Sequence, residues 1–289
     1  MTEVQLVSSS TTTLGDGRGL YAERAGDGVP IVVFEAGMGA SRNSWGAVVP
    51  LVAAETTTVA YDRSGLGRSG PDDQPRVLGR LADDLVGLLD QLGAGPFVLV
   101  GHSWGGPIVR SAAARLPDRI AGLVLVDQTD ERCDLFFSKA NERQARWMSP
   151  LMPALAKLGV IRFGVKRLAR SLPEPAATRL VAEDGTVAAV RTQQAELRLY
   201  VDDLRRLRDD PLELPDVPVS VISGAKAGFL ERGRRGELVA AHEATAASFP
   251  RGRHVSAADS SHYVPITDAQ LVADEILSIV RAARAQLEK

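Results

Sequence analysis

Short, continuously apolar runs recur along the first half of the chain, each followed by glycines or a polar turn and then by helix-spaced residues. Residues 31–34 (IVVF) read as a strand buried on both faces, since a strand with one wet face would alternate apolar and polar side chains, and 57–61, 97–101 and 123–126 also read as strands. Between them, 44–54 has helical spacing. Leu78, Leu81, Leu85, Leu88, Leu89 and Leu92 recur at three- and four-residue steps, which predicts an amphipathic helix over 78–92 that Gly93 stops. A helix over 107–116 ends before Pro117. Two shorter strands, 5–14 and 19–25, precede this series on either side of the turn-rich GDGRG. Alternating strands and helices imply an α/β fold, a mostly parallel central sheet with helices on both faces.

The pattern breaks at 129 and resumes at 215. In between, Phe136, Phe137, Trp147, Met148, Met152, Leu155, Leu158 and Phe163 lie in helical segments interrupted by Pro150, Pro153, Pro173 and Pro175, with no convincing strand. A strand (217–223), a helix (236–249), a strand (253–257) and a long helix (268–287) follow. The expected organisation is a core built from 1–128 and 215–289, with 129–214 inserted as a helical cap, or lid. Such a lid would cover the C-terminal edge of the sheet, where open α/β sheets bind ligands.

Composition narrows the partners. A formal net charge of -2 over 289 residues gives no reason to expect nucleic acid or an anionic membrane. The single Cys133 leaves no internal disulfide and suits a reducing compartment. The start, MTEVQLVSSSTTT, lacks the basic-then-apolar layout of a signal peptide. No apolar stretch approaches the roughly 18–20 residues of a membrane span. A cytoplasmic protein with no membrane partner is the expectation, and self-association into a homo-oligomer stays open. One cysteine and four scattered histidines offer no metal-ligand spacing, and GLG at 65–67 and GAGP at 93–96 do not continue as dinucleotide fingerprints. No metal or cofactor is expected.

The chemistry concentrates at 98–106, VLVGHSWGG. Gly101-His102-Ser103-Trp104-Gly105 matches G-x-S-x-G between a strand and a helix, the context in which a serine is held on a strained turn with its hydroxyl beyond the sheet edge. Flanking glycines relieve the crowding of so tight a turn, and the helix that follows points its positive end at the same place. Such a serine needs a general base. Of the four histidines, His102 adjoins the serine and points away from it, His242 sits in a helical pattern as a surface or packing residue, and His254 opens the last strand. His262 (ADSSHYVP) follows that strand in a small polar loop at the sheet's C-terminal edge, and is the candidate base.

Together VLVGHSWGG and YDRSGLGRS (61–69) resemble the nucleophile turn and the glycine-rich loop after the fourth strand of the α/β-hydrolase superfamily, over nearly the whole chain. The resemblance implies Ser103 as nucleophile, His262 as base and an acid to orient the imidazole. In the commoner layout the acid follows the strand after the lid, but VPVSVISGAKAGF (217–229) carries no carboxylate there. The strand before the lid ends LVLVDQTD, and haloalkane dehalogenases and zearalenone-type lactonases place their acid at that point. Asp127 is therefore the expected acid, with Asp130 and Glu231 as alternatives. The resemblance also implies an oxyanion hole from the backbone N–H groups of Met38 and Trp104, although Ala36 stands where relatives often have histidine. His102 and the lid residues Phe136, Trp147 and Met148 are the candidates for contacting substrate.

Serine rather than aspartate at 103 argues against dehalogenase or epoxide-hydrolase chemistry. The resemblance implies a serine hydrolase for a small-to-medium hydrophobic ester or lactone, working through an acyl-enzyme. Carbon–carbon bond hydrolases, cofactor-free dioxygenases and non-catalytic ligand receptors share the fold and remain alternatives.

Overall fold

A computed structural model describes residues 6–228 and 232–287, without the side chains at 6, 7, 142, 144–146, 148 and 287. Its centre is an eight-stranded sheet: β1 (Leu6–Thr13), β2 (Gly19–Ala25), β3 (Ile31–Glu35), β4 (Thr58–Tyr61), β5 (Phe97–His102), β6 (Ile120–Val126), β7 (Val219–Gly224) and β8 (Gly252–Ala257), ordered β1-β2-β4-β3-β5-β6-β7-β8. β1 and β2 pair antiparallel at one edge, and the other six strands run parallel. The central strands are apolar up to their C-terminal tips because both faces are covered. Val33, Leu99, Leu123 and Val221 point to one layer of helices, while Val32, Val98, Val124 and Ile222 point to the other.

On the first face lie α2 (Leu78–Leu92) and α3 (Gly105–Arg115), joined there by α10 (Arg232–Ala247). The leucine spacing of α2 acts as expected: Leu81, Leu85, Leu88 and Leu89 are buried in one cluster with Ile108, Val109 and Ala112 of α3. Each such leucine contributes about 1.5–3 kcal/mol by leaving water, and truncating Leu85 to alanine would cost about 2–5 kcal/mol once the cavity is counted. The opposite face carries α1 (Val49–Ala53) and the C-terminal α12 (Ala269–Leu287).

The expected helix over 44–54 is two pieces, a 3-10 turn at Arg42–Trp45 and the short α1. Pro50 supplies no N–H to a preceding turn and so falls in the first turn of a new helix. The Arg42 backbone and guanidinium are meanwhile held by the buried Asp62 carboxylate. Between β6 and β7 there is no strand among the described residues. Six helices fill the interval: α4 (Lys139–Met148), α5 (Met152–Lys157), α6 (Val160–Ala169), α7 (Ala176–Asp184), α8 (Val187–Leu197) and α9 (Tyr200–Asp209). Pro153 is tolerated inside α5 because it stands in the first turn. A one-turn helix, α11 (Val264–Thr267), follows the loop that carries His262. Among the described residues no helix is long and apolar enough to cross a membrane.

Candidate active site

β5 ends at His102 and α3 begins at Gly105, so Ser103 and Trp104 alone make the turn. Ser103 has φ 53°, in the left-handed region, and Asp127 has φ 40°; among the described residues no other non-glycine has positive φ. Both stand at the tips of neighbouring parallel strands. Such a conformation costs an L-residue roughly 1–3 kcal/mol and persists only where surrounding contacts enforce it. Here the Ser103 N–H donates to Val126 O (3.0 Å), the Asp127 N–H donates to Ile222 O (2.7 Å), and the Gly106 and Thr129 N–H groups donate to Ser103 O. Glycine is required at 105, where a Cβ would sit 2.5 Å from the Glu35 carbonyl oxygen.

Asp127 meets His262 directly, Oδ2 lying 2.8 Å from Nδ1. The carboxylate is fully buried and also accepts from the Gly224 N–H (2.9 Å) and from Arg235 Nη1 (2.7 and 2.8 Å). Burial alone would raise its pKa, but the His262 hydrogen bond and the neighbouring charges win and hold it down to about 2. An ionised carboxylate can only accept, so Nδ1 of His262 is the protonated partner in this bond. β7 ends in Gly224, at the place where the commoner layout has its acid. A Cβ at Gly224 would lie 1.9 Å from the Ser261 carbonyl oxygen, so the missing side chain lets the His262 loop close onto the tip of the sheet.

The loop after β3 lies against the Ser103 turn: a Cβ on Gly37 would be 3.3 Å from Ser103 Cβ. Among the described residues, neither the Met38 nor the Trp104 N–H has an internal acceptor, and the Ser103 hydroxyl makes no hydrogen bond. Arg63 braces this loop from below. It donates to the carbonyls of Ala36 (2.6 Å) and Gly37 (2.7 Å), pairs with Glu35 (2.5 Å), and grips both oxygens of Glu196 on α8 (3.0 Å each). Glu196 in turn accepts from the Gly39 N–H and from Arg76. Burial opposes the Arg63 charge, but the carboxylates of Glu196 and Glu35 more than restore it, and its pKa is raised.

A strained serine on a strand-to-helix turn, a histidine–aspartate pair and two unpaired amides thus gather at one end of the parallel strands. The sequence model of the family described as alpha/beta hydrolase fold matches residues 30–269. The chain belongs to the α/β hydrolase fold family. Over 127 residues it is 35% identical to an Azorhizobium caulinodans protein named "Putative carbamate hydrolase RutD", a match covering 44% of this chain and 47% of that one. Over 98 residues it is 39% identical to epoxide hydrolase B of Mycobacterium tuberculosis, covering 33% of this chain and 28% of that protein. The chain thus spans less than half the length of these curated relatives. The likeness to solved structures runs end to end. An esterase from Thermogutta terrifontis with malate bound is 22% identical, with TM-score 0.69, covering 96% of this chain and 99% of that one. The epoxide hydrolase CorEH is 21% identical, with TM-score 0.68, covering 94% and 98%. At those identities the likeness is one of fold.

Within this α/β hydrolase, the remaining expected residues separate. Asp130 is buried but accepts from Gln128, Thr245 and the Arg132 N–H, away from His262; Glu231 lies outside the described residues. His102 is 4% exposed, and its Nε2–H donates to the His262 carbonyl (2.8 Å), which ties down the backbone at His262. Burial, with His262 beside it, pushes its pKa down to about 3 and keeps it neutral. The Trp104 indole is fully buried, edge-on to Tyr200, which also packs edge-on to Phe136. Trp147 is 75% exposed on the outside of α4, not in a pocket, because that helix turns this face to water; the Met148 side chain lies outside the described residues. His242 is not a surface residue: it is fully buried between Ser223 and the Gln128 carbonyl. Among the described residues no group of three or more His, Cys, Asp or Glu side chains is arranged to hold a metal ion. Sequence reasoning missed Arg235, Glu35, Arg63, Arg76 and Glu196. Of these only Arg63, inside YDRSGLGRS, stood in a recognisable pattern.

Proposed function

We propose that this protein is a serine hydrolase that cleaves a carboxylic ester or lactone of small-to-medium hydrophobic character through an acyl-enzyme. The observation that carries the reading is the Asp127–His262 hydrogen bond beside a serine held at positive φ. Ser103 Oγ attacks the carbonyl carbon while its proton passes to His262 Nε2. The tetrahedral oxyanion is held by the Met38 and Trp104 amides, the latter at the positive end of α3. The imidazolium returns the proton to the departing alkoxide oxygen as the ester bond breaks. Water, deprotonated by the same nitrogen, then releases the acid and restores the Ser103 hydroxyl. Carbon chemistry favours this reading over that of the relatives named epoxide hydrolases. A serine opening an epoxide would form an ether, which this machinery has no means to hydrolyse, whereas a serine ester turns over. The relative named for carbamate hydrolysis fits the same attack on a carbonyl. These steps need no metal or cofactor.

The test is a panel of esters, lactones and thioesters with wild type and Ser103→Ala, together with a fluorophosphonate probe. Expected are labelling at Ser103 alone and a fall in kcat of roughly 10³ or more in the variant. A folded wild type that turns over no acyl substrate and takes no label at Ser103 would leave the reading untenable.

A further inference from the structure

The whole-chain charge conceals a local asymmetry. Residues 139–170, spanning α4 to α6, hold eight Lys and Arg against a single Glu, in a chain whose formal net charge is -2. Lys157, Arg162, Lys166, Arg167 and Arg170 are exposed, and among the described residues none pairs with a carboxylate. On α9, by contrast, Arg206 pairs with Asp203 at 3.0 Å and Arg208 with Asp134 at 3.0 Å.

The same segment carries exposed apolar bulk. Trp147, Leu151, Leu158, Val160 and Phe163 make up five of the seven large hydrophobics exposed among the described residues. They sit on consecutive elements: α5 packs on α6, and a 3-10 turn, Ser149–Leu151, lies against both α4 and α5. This is not an unsatisfied core. The inner side of α6 already packs Val165, Leu168 and Ala169 on Leu172, Leu180 and Ile266, while Phe163 stands 71% exposed on the outer side among Arg162, Lys166 and Arg167.

From this combination we infer that the outer surface of α4–α6 docks on an anionic lipid surface. Lysine and arginine reach the headgroup phosphates, and tryptophan, phenylalanine and leucine enter the headgroup–acyl boundary. Charge decides against a second copy, since a two-fold contact would set this cationic face against itself. The apolar residues decide against nucleic acid, which offers Leu158 and Val160 no medium to enter. The inference stands apart from the proposed reaction, because none of these residues belongs to the Ser103–His262 site.

Co-sedimentation with vesicles of phosphatidylcholine alone, or with phosphatidylglycerol added, tests it at low and high salt. The expected result is binding only to the anionic vesicles, weakened by salt. Lys166→Glu combined with Arg167→Glu should lower the partition coefficient by roughly thirtyfold or more, at about fivefold per cation removed. Phe163→Ser should also weaken binding. Unchanged thermal melting of both variants would show that the fold is intact, since the altered side chains are exposed. Wild-type protein that ignores anionic vesicles overturns the inference, and so do folded variants that bind as wild type does. A salt-sensitive complex with a polyglutamate peptide but not with vesicles would assign the face to an acidic protein, and dimerisation abolished by Phe163→Ser would assign it to a second copy.

Discussion

Arg235 Nη1 lies 2.7 and 2.8 Å from the two carboxylate oxygens of Asp127, the same carboxylate that accepts from Nδ1 of His262. The Asp127 carboxylate is thus shared between a permanent cation on α10 and the imidazole. The guanidinium helps hold Asp127 ionised, and it also drains part of the field that would stabilise a positive imidazole. Replacing Arg235 with Met should therefore move the low-pH limb of kcat/KM to higher pH, by a fraction of a unit to about one unit, with the plateau changed less. A pH–rate profile reads this directly. An unmoved limb would mean that Arg235 is only structural.

Asp127 and Asp130 are both buried carboxylates on the segment after β6, and their surroundings predict opposite phenotypes. Asp127→Asn should lower kcat by roughly 10³–10⁴, because the amide no longer imposes the tautomer that leaves Nε2 free. Asp130→Asn should keep kcat within about tenfold while costing about 1–3 kcal/mol of stability, as its contacts with Gln128 and Thr245 are disturbed. Paired kinetics and urea unfolding distinguish them. The reverse pattern would move the acid to Asp130.

His102 predicts an acid lability. Burial depresses its pKa to about 3, against about 6.5 in an unfolded chain, so the unfolded state takes up a proton first as the pH falls. The stability tied to neutral His102 is complete above about pH 6.5 and is lost on acidification at up to about 1.4 kcal/mol per pH unit. His102→Gln removes that slope. Unfolding free energies of the variant should vary less steeply than those of wild type between about pH 6.5 and pH 4. Parallel curves would show that other groups dominate the acid transition.

The Arg63–Glu196 pair joins the loop carrying Met38 to α8 of the helical insertion. Glu196→Gln leaves Arg63 and Arg76 buried with one carboxylate charge fewer, a loss of about 3–5 kcal/mol for a broken buried pair. If the Met38 amide serves the oxyanion, kcat should fall more than KM rises, because the loop is needed most in the transition state. Thermal melting and steady-state kinetics on one ester measure both effects. A lowered Tm with unaltered kcat would confine the network to stability.

Much of the architecture was legible along the chain. The central strands β3, β5 and β6 declared themselves through apolar runs, and α2 runs from Leu78 to Leu92 as its leucine spacing predicts. Both signals are local, since periodicity and a stop at Gly93 need no knowledge of what lies opposite. The Ser103 turn was legible for the same reason, as a serine bracketed by glycines between a strand and a helix. The helix expected over 44–54 divides at Pro50, which opens α1, and its first part is a 3-10 turn starting at Arg42, which Asp62 holds from the loop after β4.

What the sequence alone determined, then, is the alternation that forces a covered parallel sheet and the tight turn that presents Ser103. Tertiary structure decided which carboxylate faces His262, that His102 hydrogen-bonds the His262 carbonyl, and that Arg235 shares Asp127. It also decided that Glu35 and Glu196 are balanced by Arg63 and Arg76 under the loop. These partners stand up to 160 residues apart in the chain. A buried charge is stable only beside its counterion, and no spacing in one dimension records which distant residue that will be.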